Sequence, residues 1–289
     1  MKIAYLNKKF IPLKEAKVSI LDRGFLYADG VFETMRAYNG IVFHLRGHIE
    51  RLSDSLKAIH INAKIDPKKT KQIINKLLKK NKLKDAYVKI VVTRGETSGF
   101  SILRHNQKPT IAIYVQSHKK IPAKSYEKGF KLFVSRSKMS IESPIAKRKT
   151  LNYLHNILCR YEAEKKGFNE VVFINTRGFL TEAASSNIFL VKNKKLLTPS
   201  LSSGILPGIT RQEVIYLAKK NLKKRVNEYL LKISDLYSAD EVFLTNSTIG
   251  IMPVVKIGHR FVKGRRPGAI TKRLMKLYND SVRECSQKT

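Results

Sequence analysis

The chain has no tryptophan and only two cysteines, Cys159 and Cys285, which lie far apart and form no Cys-x-x-Cys pair. A disulfide scaffold and a zinc ribbon are therefore not expected, and a reducing compartment fits. Long apolar runs are missing too. None approaches the roughly 18 to 20 residues that span a bilayer, and Met1-Lys2-Ile3-Ala4-Tyr5-Leu6-Asn7 is too short for a signal-peptide core. A cytoplasmic protein with no membrane contact is expected. Acidic residues are scarce: 22 Asp plus Glu stand against 57 Lys plus Arg, a formal charge of +35. That balance raises nucleic acid as a partner. The positive charge, however, is mostly Lys spread over every segment, and none of the recognised binding modules is present, so no specific nucleic-acid role is expected. A basic surface still favours anionic substrates by steering. Phosphate-loop, dinucleotide and His-Glu-x-x-His motifs are absent. His44 and His48 stand four apart with no carboxylate set near them, which favours packing or surface roles over a metal site.

At 289 residues, with 43% hydrophobic and 27% charged, the chain can form one large domain or two moderate ones. The stripe Leu45, Ile49, Leu52, Leu56, Ile59 has the period of a helix, and a second helix starts at Asp66-Pro67, an N-cap followed by proline. Residues 86–93 and 110–116 predict strands rich in Val, Ile and Tyr. Residues 117–124 lack periodicity and carry a proline, which predicts a linker. The expected division is a small N-terminal α/β domain over 1–118, a linker over 119–128 and a larger domain over 129–289. Strands near 130–135, 170–175 and 187–191 mix with helices near 152–166, 210–221 and 268–283. Without strict alternation, a mixed α/β protein is expected, neither a TIM barrel nor a doubly wound sheet.

The chemistry-bearing blocks are Asp22-Arg23-Gly24-Phe25, Asp29-Gly30-Val31-Phe32-Glu33-Thr34, His48-Ile49-Glu50-Arg51-Leu52, Lys149-Thr150-Leu151-Asn152-Tyr153-Leu154, Leu180-Thr181-Glu182 through Asn187-Ile188-Phe189, Gly204 through Arg211, and Phe243-Leu244-Thr245-Asn246-Ser247 through Val254. Any one of them is weak, since an isolated Lys or Glu is usually a solvated surface residue. Together, in this order and over nearly the whole chain, they resemble the class IV, fold-type IV family of pyridoxal-phosphate enzymes. That family holds branched-chain aminotransferases, D-amino-acid aminotransferases and aminodeoxychorismate lyases.

The resemblance implies a two-domain enzyme with pyridoxal 5′-phosphate between the domains, Lys149 in the larger one, and a homodimer. It implies that Lys149 bonds the cofactor and then moves the proton at the substrate α-carbon, a task that suits an amine whose surroundings keep it neutral. Glu182 is implied to hold the ring nitrogen protonated. Arg51, Ile209 and Thr210 are implied to hold the phosphate at a helix N-terminus, with Ser247 adding a hydroxyl. Tyr153 is implied to bond the phenolic oxygen or to pack in the core. Thr34 after Phe-Glu, and Thr245-Asn246-Ser247-Thr248 near the C-terminus, resemble the lyases, in which that Thr assists proton transfer and that Asn lines the substrate site. Phe32 and Thr248 are implied as further substrate contacts. The Arg-Asn-His carboxylate trap of D-amino-acid aminotransferases is not reproduced, and the loop at 94–101 lacks the additional Arg of some lyases, for which Arg104 is the available substitute. The expected reaction is release of pyruvate from 4-amino-4-deoxychorismate to give 4-aminobenzoate, with a branched-chain or D-amino-acid transaminase as the alternative.

Overall fold

A computed structural model of the chain describes residues 1–97, 99–102 and 108–287. They divide into two compact units, each with its own sheet. The first comprises Met1–Lys119, Arg148–Asn152 and the residues from Val282 onward. Its strands are β1 (Ile3–Leu6), β2 (Lys9–Pro12), β3 (Gly30–Tyr38), β4 (Ile41–Val42), β5 (Ala86–Thr93) and β6 (Thr110–Ser117). They form an antiparallel sheet in the order β2-β1-β6-β5-β3-β4. The short α1 (Arg23–Tyr27) precedes β3, and α2 (Leu45–Ala58) and α3 (Pro67–Lys80) lie between β4 and β5.

Side chains alternate across a strand, so every second residue faces the helices. Val31, Met35 and Ala37 of β3 and Val88, Ile90 and Val92 of β5 share a core with Ile49, Leu52 and Leu56 of α2 and Ile74, Leu77 and Leu78 of α3. The register Phe32↔Val91, Thr34↔Lys89 and Arg36↔Tyr87 places those residues on the opposite face. The expected helices are α2 and α3, and Asp66 caps α3 by accepting from Lys69 N at 2.7 Å.

The second unit comprises Lys120–Lys147 and Tyr153–Ser281. In chain order it holds α4 (Ala123–Lys128), β7 (Phe130–Val134), α5 (Leu154–Lys165), β8 (Glu170–Ile174), β9 (Leu180–Ala183), β10 (Asn187–Lys192), β11 (Lys195–Pro199), α6 (Ile209–Leu222), β12 (Val226–Tyr229), α7 (Ile233–Tyr237), β13 (Glu241–Asn246), β14 (Gly250–Ile257), β15 (Arg260–Phe261) and most of α8 (Ala269–Gln287). The sheet order is β12-β11-β10-β13-β14-β7-β8-β9, with β15 on β14. β7 runs parallel to both β14 and β8, and β11 parallel to β12, so the sheet is mixed as expected. Phe189 and Phe243 stack at 4.9 Å across β10 and β13 in its core. No described helix is long and apolar enough to cross a membrane.

Two expectations are corrected. The linker carries a helical stretch, α4, and the lysine does not group with the larger unit. Residues 148–152 belong with the first unit because their backbone completes β3: Phe32 N donates to Lys149 O and Leu151 N to Gly30 O, both at 2.9 Å. Buried backbone groups must pair, and β4 covers only Ala37 and Tyr38 of that edge. Gly30 permits the approach, since a Cβ there would lie 2.8 Å from Leu151 Cδ1.

Asp22 ties α1 to the sheet. Almost fully buried, it accepts from Gly24 N, Thr93 Oγ1 and Thr110 Oγ1 at 2.7, 2.8 and 2.7 Å. Asp22→Ala leaves those donors unpaired and is expected to cost about 2–3 kcal/mol in urea unfolding; a loss under about 1 kcal/mol would show that water replaces the carboxylate.

Candidate active site

Lys149 is held by its backbone at the edge of β3, and its Nζ lies 4.4 Å from the centre of the Phe32 ring. Lys89 Nζ lies 4.3 Å from the same ring, so two lysine side chains share one aromatic support. Lys149 is half-buried whereas its neighbours Lys147 and Arg148 are exposed, which separates the candidate amine from its flanking cations. Thr34 follows Phe32 on the same face of β3, and its Oγ1 is 3.4 Å from Tyr87 Oη. Phe32, expected to touch substrate, is here the platform beneath Lys149.

Behind this face, Glu33 points into the apolar row of β3 and is fully buried. Its carboxylate accepts from His48 Nδ1 at 2.7 Å and from Arg51 Nε and Nη2 at 2.7 and 2.8 Å. His48 and Arg51 stand three apart on α2 and so reach the same point. Burial pushes the Glu33 carboxyl up, but the Arg51 charge and the His48 bond outweigh it and hold it at about 2. Burial lowers the His48 pKa despite the bond to Glu33, whose carboxylate accepts from Nδ1. The sequence pattern gives Glu33 no role of its own and favours packing or surface roles for His48 over a metal site; the available signal is a carboxylate in the inward row Val31, Glu33, Met35, Ala37.

The second unit holds the other expected residues. Glu182 on β9 accepts from Asn187 Nδ2 at 2.8 Å and from Leu206 N at 3.0 Å, which aims a half-buried carboxylate. Gly208 precedes α6 and supplies no side-chain cap. A Cβ at 208 would meet Asn187 Oδ1 at 1.9 Å, so the packing that orients Glu182 also demands a residue without a side chain at this helix start. The first amides of α6, beside buried Ile209 and Thr210, make a setting that favours an anion. Nearby in sequence to Ser247, the buried Thr245 Oγ1 has no partner among the described residues. An aimed carboxylate, an uncapped helix start and an orphaned hydroxyl fit a ligand that combines a basic ring nitrogen with a phosphate.

Asn246, expected to line the substrate site, is engaged in its own turn. Its Oδ1 accepts from Thr248 N, Thr248 Oγ1 and Ile249 N at 2.9, 2.8 and 2.9 Å. Its Nδ2 donates to Ser185 O and Ser186 Oγ at 3.1 and 2.9 Å. The geometry thus makes Asn246 the former of the turn that presents Ser247 and Thr248. Tyr153 is half-buried at the start of α5. Arg104 lies outside the described residues.

Residues 30–257 match the family model for amino-transferase class IV. A Methanocaldococcus jannaschii protein to which branched-chain-amino-acid aminotransferase activity is ascribed is 39% identical over 97% of this chain and 96% of its own. The aminodeoxychorismate lyase of Bacillus subtilis is 33% identical over 96% of this chain and 94% of its own. The crystal structure of the branched-chain aminotransferase from Thermobaculum terrenum, solved with pyridoxal phosphate, superposes with a TM-score of 0.89 at 27% identity, covering 98% of this chain and 94% of that one. The chain belongs to the class IV aminotransferase family and is an enzyme of that family.

A carboxyl depressed to about 2 from 4.5 stabilises the fold above pH 4.5, and that contribution is lost as pH falls towards 2. Glu33 is therefore expected to add about 3 kcal/mol to the acid-dependent loss of stability in the wild type. Urea midpoints measured from pH 5 to pH 2 should fall less steeply in Glu33→Gln; parallel curves would refute the buried ion pair.

Proposed function

We propose that the chain is a pyridoxal-phosphate-dependent 4-amino-4-deoxychorismate lyase that releases pyruvate and leaves 4-aminobenzoate, an activity of folate synthesis. The observation that carries this reading is the hydroxyl of Thr34 beside the Phe32 platform of Lys149, at the position whose Thr resembles the aminodeoxychorismate lyases. When bound, the cofactor supplies an aldehyde that captures the substrate amine and a ring that withdraws electrons from the adjacent carbon.

The chain's own residues then divide the work. Lys149 Nζ takes the proton from the carbon that bears the amine. The ether bond on the neighbouring ring carbon breaks, its electron pair leaves with the enol of pyruvate, and the substrate ring becomes aromatic. The Thr34 hydroxyl passes a proton towards that leaving group, with Tyr87 Oη orienting it. Glu182 would accept from the ring nitrogen and keep it protonated. In the first unit Arg51 would hold the phosphate; taken by itself, the second unit offers an anion the α6 amides with the Thr210 and Ser247 hydroxyls. Tyr153 would donate to the phenolic oxygen.

A transaminase acting on branched-chain amino acids is the second reading, favoured by the 39% identity to the Methanocaldococcus protein. In that case Lys149 returns the proton to the cofactor's own carbon. One assay separates the two: 4-aminobenzoate formation beside keto-acid exchange with L- and D-amino acids. Lys149→Ala is expected to abolish both activities and the visible absorbance of lysine-bound cofactor. Thr34→Gly should reduce pyruvate release about 100-fold, the scale of one lost proton-transfer group, and change exchange far less. Wild-type turnover in the first variant, or equal losses in the second, would overturn these assignments.

We also propose that the working form is a homodimer. Leu154, Ile157, Leu158 and Tyr161 of α5 are all more than half exposed and form one helical stripe, and Ile20, Leu21 and Phe25 are a second exposed apolar group. Light scattering should give twice the 33.0 kDa chain mass; a monomeric, fully active protein would sink the proposal.

A further inference from the structure

We propose that Glu33 is a positioning residue for cofactor phosphate, acting through Arg51. The inference rests on the phosphate role proposed for Arg51. An arginine side chain samples many rotamers, and holding it in one pose uses part of whatever it gains from an anion. Here Glu33 grips the Nε–Nη2 edge of Arg51 with two bonds of 2.7 and 2.8 Å, which fixes the plane of the guanidinium and with it the direction of the Nη1 edge. His48 adds a third bond at 2.7 Å, so the carboxylate itself cannot swing. The side chain of Arg51 is 10% exposed, so most of it is held away from water.

Glu33 is also joined covalently to the catalytic face. Its neighbours in β3 are Phe32, the platform of Lys149, and Thr34. The same three residues therefore set the amine, the hydroxyl and the cation that holds the phosphate, with the odd residue reaching α2 through the core and the even ones facing the chemistry.

Two physical effects oppose each other. A carboxylate next to Arg51 repels a phosphate dianion, which weakens binding; a pre-oriented guanidinium strengthens it. In a buried site with three donors on one carboxylate the second effect is the larger, because the two-bond grip that sets the guanidinium plane is lost with the carboxylate. The sign of the measured effect decides between them.

The test uses the full chain freed of cofactor and titrated by calorimetry with pyridoxamine 5′-phosphate and, separately, with pyridoxamine, neither of which bonds Lys149 covalently. Glu33→Gln keeps size and removes charge; Glu33→Asp keeps charge and withdraws it by one methylene. Both are expected to weaken the phosphorylated ligand about tenfold and to leave the unphosphorylated one within about twofold. Either variant, once circular dichroism shows it folded, decides the matter alone. Equal weakening of both ligands would reduce Glu33 to a structural residue, and tighter phosphate binding in Glu33→Gln would show that repulsion dominates; each overturns the proposal. Arg51→Met is run beside them. If it leaves the preference for the phosphorylated ligand intact, the phosphate reading of Arg51 has failed; if it removes that preference while the Glu33 variants do not, only the positioning role has failed.

Discussion

The backbone pairing of Lys149–Leu151 with Gly30–Phe32 is the constraint on which the rest of the candidate site depends. Two hydrogen bonds of 2.9 Å bring a segment from the middle of the chain to the edge of β3. Once they form, the Lys149 side chain has little choice but to lie over Phe32, and the residues that flank Phe32 become its neighbours. Gly30 is required because a Cβ would collide with both Val92 O and Leu151. The block from Asp29 to Thr34 thus holds one residue for close approach, one for aromatic support, one for the buried carboxylate and one for a hydroxyl.

Acid is scarce in a chain of charge +35, and several carboxylates serve as buried or half-buried acceptors. Asp22 takes three donors at the start of α1, and Glu241 takes Ile270 N, Thr271 N and Thr271 Oγ1 at the start of α8. Asp29 joins Arg23 and Arg94 at 2.8 and 2.7 Å; burial opposes its charge, and the two guanidiniums outweigh that and hold its carboxyl below the usual range. Glu33 follows the same rule at the site. A buried carboxylate is tolerable only with donors on its oxygens, so each such residue pins the elements that supply the donors. The excess lysine plays no part in these networks; it belongs to the surface, where it steers anions without choosing among them.

Much of the fold was legible in the sequence. The Leu45–Ile59 stripe and the Asp66-Pro67 start mark α2 and α3 because amphipathic periodicity and capping are local properties. The strand at 86–93 was legible for the same reason. α4 was hidden by its brevity and by Pro122, which looks like a break and serves as the residue before a helix. The assignment of Lys149 to the larger domain failed because chain order carries no record of a return to β3. Asn246 shows the reverse difficulty: its residue type suits substrate contact, but the turn after β13 takes both ends of its amide.

Period, caps and residue type were thus set by the chain itself: which segments are helix or strand, that a lysine, a glutamate and an arginine stand in family order, and that the class is one of pyridoxal-phosphate chemistry. Tertiary structure alone decided that Lys149 rests on Phe32, that Glu33 grips Arg51 and His48, and that Gly208 and Asn187 together aim Glu182. The physical reason is range. Helical and strand patterns repeat over a few residues and leave a trace there, whereas these contacts depend on hydrogen bonds between positions up to 121 apart that exist only once the backbone has closed.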